Sequence, residues 1–97
     1  MDYEVEDYLL IESNNLGMTL SKVLSESDLK KVKNEVLDII NQNEVNVFLN
    51  TITKFCNEHE IKVRKKFVDM LNNNSYLLGD VAYSFIMGLG NENKLYI

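Results

Sequence analysis

The chain has no proline and no tryptophan, and it carries only one cysteine, one histidine and one arginine. Without proline, no position is forced out of a helix by a ring that lacks an N–H and clashes with the preceding turn. A lone cysteine rules out an internal disulfide, so packing alone must hold the fold, and a reducing compartment suits such a chain. One histidine and one cysteine also fall short of the three or four ligands of a zinc site. Apolar runs are short too. The longest, Tyr8–Ile11, is far below the length of a membrane span. The acidic start MDYEVED lacks the basic residues and apolar stretch of a signal peptide. These absences predict a cytoplasmic protein that needs no metal, cofactor or membrane.

What is present suits one small folded domain. Ninety-seven residues, 45% of them hydrophobic and 26% charged, are too apolar for disorder and long enough for a single core. Base is scarce at the start of the chain. Residues 1–28 hold seven acids against Lys22 alone, whereas the rest is nearly balanced, so most of the net charge of −5 sits in the first third. Such a segment repels phosphate backbones and attracts basic protein surfaces. Nucleic acid is therefore not the expected ligand.

Apolar residues recur at three and four rather than at two, which predicts an all-α bundle of five to six short helices. The first helix is placed at Tyr3–Glu12 with Asp2 as N-cap, although the alternation of Tyr3 and Val5 also fits a strand. Ser13-Asn14-Asn15 and Gly17 predict a break, followed by a short helix over Thr19–Ser25 and a corner at Ser25–Ser27. Ser25 with Asp28 three residues on marks the start of a helix over Glu26–Asn41, its core stripe Leu29, Val32, Val36 and Ile40 with Leu37 beside it. A third helix over Glu44–Glu58 buries Val45, Phe48, Leu49, Ile52, Phe55 and Cys56. A fourth over Lys62–Asn72 buries Val63, Phe67, Val68 and Leu71. The last, Tyr76–Leu89, is capped by Asn74 or Ser75 and is nearly all apolar, as befits a central helix. Gly88 and Gly90 are its expected stops. The final Leu95-Tyr96-Ile97 fits either a segment docked on the core or an exposed hook for a partner.

Few residues point to chemistry. Cys56 and His59 share a helix face, the arrangement of a nucleophile and its base, but Cys56 falls on the core stripe and reads as a small buried hydrophobe. His59 stands at a helix C-terminus, where its side chain can donate to free carbonyls. The run Lys62-Val63-Arg64-Lys65-Lys66 has no aromatic interleaving and reads as a wet helix face, part of its charge paired with acids of the first segment. Calcium-loop, phosphate-loop and helix-turn-helix templates all lack residues they require. More suggestive are Glu4, Glu6, Asp7 and Glu12, which surround Tyr3 and Tyr8. Rigid aromatics among carboxylates suit a site that meets a basic protein.

One resemblance adds to this. Glu35–Glu44 (EVLDIINQNE), Val47–Phe55, the corner Glu58-His59-Glu60-Ile61-Lys62-Val63 and Phe67–Leu71 form a pattern. It resembles the small helical Maf-type immunity proteins of bacterial polymorphic-toxin and contact-dependent-inhibition loci. The resemblance implies a cytoplasmic protein that binds and blocks one cognate toxin, often a basic nuclease. The expectation is thus a non-enzymatic inhibitor that meets a basic toxin domain through Tyr3, Glu4, Glu6, Asp7, Tyr8, Glu12 and Tyr96. A self-associating module, such as a homodimer, or a phage or viral inhibitor of a host protein is the alternative.

Overall fold

Where the sequence predicts a break at Ser13–Asn15, the helix runs straight on. The computed structural model describes residues 3–90, with side chains from Glu4 onward, and its first helix, α1, spans Tyr3–Ser21. The core stripe of α1 is Leu9, Ser13, Leu16 and Leu20, which keeps helical spacing with a serine in one apolar slot. Ser13 is fully buried, and its hydroxyl donates to the Val81 carbonyl at 2.7 Å. The Asn14 side chain donates to the Ser84 carbonyl at 3.1 Å. These polar residues are therefore contacts to another helix, and the hydrogen bonds offset their poor helix propensity. Asp2, expected as N-cap, lies outside the described residues.

Four more helices follow: α2 (Glu26–Gln42), α3 (Val45–Glu58), α4 (Lys65–Asn73) and α5 (Leu78–Gly88), with a 3₁₀ turn at Ser75–Leu77 before the last. The protein is all-α, with no strand among the described residues. The turn into α2 falls at Lys22–Ser25, slightly before the expected corner, and Ser25 Oγ accepts from the Asp28 N–H at 3.1 Å. On α2 Leu29, Val32 and Val36 are buried as expected, and only the last core position differs: it is Ile39, with Ile40 half-buried and Leu37 exposed. Asn43 ends the helix in the left-handed conformation, its N–H donating to the Ile39 carbonyl.

The corner after α3 is a Schellman motif. The Ile61 N–H reaches the Cys56 carbonyl at 2.8 Å and the Glu60 N–H reaches Asn57 at 3.2 Å, with Glu60 at φ 59°. Residues 61–64 are then extended rather than helical, so α4 starts three residues later than expected. The alternation explains this: Ile61 and Val63 turn inward against the core while Lys62 and Arg64 point to solvent, a period of two. Asn74 closes α4 and is also the N-cap of the 3₁₀ turn, where its carbonyl, not its side chain, accepts from the Leu77 N–H at 2.9 Å. Its backbone N–H donates to the Leu71 carbonyl and its side chain to Met70 at 2.8 Å.

α1 and α5 run side by side in the same direction. Along them Ser13 meets Val81, Gly17 lies against Phe85 and Gly88, and Ser21 neighbours Gly90. Ser13-xxx-Gly17 on one helix faces Ser84-xxx-Gly88 on the other, and small residues let the backbones touch. A third tie is the Ser84 hydroxyl, which donates to the Leu10 carbonyl at 2.7 Å. Gly88 is thus both the last residue of α5 and a packing residue, and Gly90, at φ 85°, follows just beyond the Leu89 C-cap. Leu78, Val81, Ala82, Phe85 and Ile86 of α5 are buried. Phe85 meets Phe48 of α3 edge to face, centroids 6.1 Å apart at 89°. α4 packs beside α1, and α2 with α3 completes the core on the other side.

Candidate interaction surface

A helix separates residues by angle, and the acidic set on α1 divides accordingly. Glu4 and Asp7 are exposed and lie in line with Ile11 and Met18, at the three- and four-residue spacing of a single helix row. Tyr8 and Glu12 occupy a different edge, the one that faces α4. Glu6 is half-buried and belongs to neither, since helical spacing puts it on the side of Ser13 and Gly17. The side chain of Tyr3 and the whole of Tyr96, both expected at the interface, lie outside the described residues, as does the rest of the Leu95–Ile97 tail.

The Tyr8–Glu12 edge is already in use. Arg64 Nε lies 3.4 Å from Glu12 Oε2, and Lys66 Nζ stands 4.7 Å from the centroid of the Tyr8 ring. The basic run thus finds its partners on the first helix, as expected from the sequence. It is not a helix face, however: Lys62–Arg64 precede α4, and only Lys65 and Lys66 belong to its first turn. There two lysines oppose the helix dipole, and the ion pair of Lys65 with Asp69 at 2.6 Å offsets part of that. The Tyr8 hydroxyl is buried without a hydrogen-bond partner among the described residues. Burial first, and then the Glu12 carboxylate, raise its pKa, while Arg64 acts the other way.

Cys56 is fully buried, and burial pushes its thiol up to about 11, so it stays protonated at neutral pH. His59 does cap α3, but through its backbone, whose N–H donates to the Cys56 carbonyl at 3.1 Å. Its side chain makes no hydrogen bond among the described residues. No three His, Cys, Asp or Glu residues cluster as a metal site would need among the described residues. No helix among them is long and apolar enough to cross a membrane.

The sequence reading missed a second row, on α5. Asp80, Tyr83 and Met87 recur at three and four and all are exposed, with Tyr76 exposed in the 3₁₀ turn before them. Their signal was present as the wet positions of an otherwise apolar helix. A helix read as nearly all apolar, with only Asp80 and Ser84 polar, leaves Tyr83 and Met87 unassigned to a surface.

Comparison of the chain with protein-family models, with curated proteins and with solved structures found no match.

Proposed function

We propose that this chain is a non-enzymatic binding protein of the immunity type, which neutralises a basic toxin domain, such as a nuclease, by direct contact. The observation that carries this reading is the segregation of charge. Seven acids against one base fill residues 1–28, and α1, the 3₁₀ turn and α5 contain no lysine, arginine or histidine at all. Carboxylates gathered in this way speed the encounter with a basic surface and then pair with its lysines and arginines. Exposed apolar side chains beside them supply anchors that exclude water once the partner is seated. The family resemblance around residues 35–71 agrees with the same role.

The test is genetic and direct. The neighbouring reading frame, expressed alone and together with this chain, should encode a basic domain whose toxicity this chain abolishes. A neighbour that is neither basic nor toxic, or whose toxicity persists at an excess of this chain, would refute the proposal.

A second reading, self-association, draws on the exposed apolar residues Ile11, Met18, Tyr83 and Met87. Sedimentation at several concentrations separates the two: a monomer throughout removes it.

A further inference from the structure

We infer that the docking surface for a basic partner is the outward face shared by α1 and α5, centred on Ile11, Met18, Tyr83 and Met87 and flanked by Asp7 and Asp80. This rests on the reading of the chain as a binder of a basic protein, and it moves the contact away from Tyr8 and Glu12.

Three observations converge. The first is placement. Because the two helices run parallel with their backbones in contact at Gly17 and Gly88, their outward rows are neighbours and form one surface. The second is apolar exposure. Ile11 is 62% exposed, Met18 43%, Tyr83 60% and Met87 56%, on two helices whose other large apolar residues are mostly covered. Aromatic and methionine side chains are the residues that anchor interfaces. The third is charge. Glu4, Asp7 and Asp80 are exposed on these rows, and neither helix offers a base to neutralise them.

Charge also selects the occupant. A second copy docked on this face would bring one acidic surface against another, with no lysine, arginine or histidine on α1 or α5 of either copy to pair with Asp7 and Asp80. A partner with lysines or arginines around an apolar centre fits instead. The chain already contains a small internal instance of such pairing on the opposite edge of α1, where Arg64 meets Glu12 and Lys66 covers the Tyr8 ring.

The probe is a 14-residue amphipathic helical peptide of leucine and lysine, titrated into the full-length isotope-labelled chain and followed by amide chemical shifts. An oligolysine of equal charge serves as the electrostatic control. The expected result is that the leucine–lysine peptide perturbs amides around Ile11, Met18, Asp80 and Met87, and binds more tightly than oligolysine. The double variant D7K/D80K should weaken it about tenfold or more, as should Y83A, while E12Q binds like the parent. Unchanged circular dichroism confirms that each variant folds.

Perturbations centred on α2 or on the Glu12–Arg64 edge, with the face variants binding normally, would overturn the face assignment and leave the acidic-binder reading standing. Equal binding of oligolysine would also overturn it, since the apolar anchors would contribute nothing. Two other occupants have their own signatures, and either would overturn it. Truncation after Gly90 would by itself shift these amides if the C-terminal segment covered the face, and a dimer abolished by Y83A would make the occupant a second copy. Binding of neither peptide would refute the basic-partner reading itself.

Discussion

Gly17 of α1 and Gly88 of α5 lie against each other, and neither position has room for a Cβ. One built on Gly17 would overlap the Phe85 carbonyl oxygen and stand 3.0 Å from the Gly88 carbonyl carbon; one on Gly88 would overlap the Asn14 carbonyl. The neighbouring atoms are backbone, so the helices would have to separate. Gly17→Ala and Gly88→Ala should each destabilise by about 1–3 kcal/mol, the usual cost of overpacking. Gly79, on the same helix as Gly88, has nothing within 4 Å of a Cβ, and Gly79→Ala should stabilise by about 0.5–1 kcal/mol. Urea midpoints of the three variants test this, and the opposite signs on one helix separate packing from propensity.

Tyr8 should be improvable. Its ring packs on the core beneath Lys66, but its buried hydroxyl has no partner among the described residues, and an unpaired buried polar group is costly. Tyr8→Phe should be neutral or stabilising by up to about 1 kcal/mol, measured by chemical denaturation. The nearby Arg64 is 69% exposed, so Arg64→Ala should cost less than about 1 kcal/mol despite its ion pair with Glu12. A large loss in Tyr8→Phe would mean that the hydroxyl has a partner in solution.

Glu60 occupies the left-handed position of the Schellman corner, where a Cβ is unfavourable and glycine is the usual residue. Glu60→Gly should therefore raise the thermal midpoint, by about 0.5–1 kcal/mol in stability, and Glu60→Val should lower it. Circular dichroism melts decide this.

Cys56 sets a prediction at alkaline pH. Burial raises its thiol from 9.0 to about 11, so above pH 9 the unfolded chain loses this proton while the folded chain keeps it. The folded state then binds more protons than the unfolded, and stability falls as pH rises from about 9 to about 11. Cys56→Ala should flatten that part of the curve. In the parent at pH 8, a thiol reagent should react only after denaturant is added, because the sulfur is fully buried.

The parts of the fold legible in the sequence are those specified by local rules. The Ser25–Asp28 start of α2 and the core stripe of α3 both depend on spacing and caps within a few residues. The misreadings depend on partners far along the chain. Ser13 and Asn14 look like breakers until Val81 and Ser84 stand beside them to accept their hydrogen bonds. Gly17 looks like a loop until α5 requires its missing Cβ. Val63 is an exception: Ile61 and Val63 alternate with Lys62 and Arg64 as extended chain does, yet a helix from Lys62 takes Val63 in. The acidic character of the candidate surface was visible, but its division into two edges of α1 was not. The α5 half appears only when the outward positions of that helix are taken separately.

Capture of a basic partner by charge on α1 and α5 would show first in the association rate. Stopped-flow mixing of this chain with the basic domain of the neighbouring reading frame, at low and at physiological salt, reads it out. The expected result is a 1:1 complex whose association slows steeply with salt, and a variant with Glu4, Asp7 and Asp80 reversed to lysine that associates about tenfold or more slowly at low salt. An association rate indifferent to both salt and this charge reversal would contradict it.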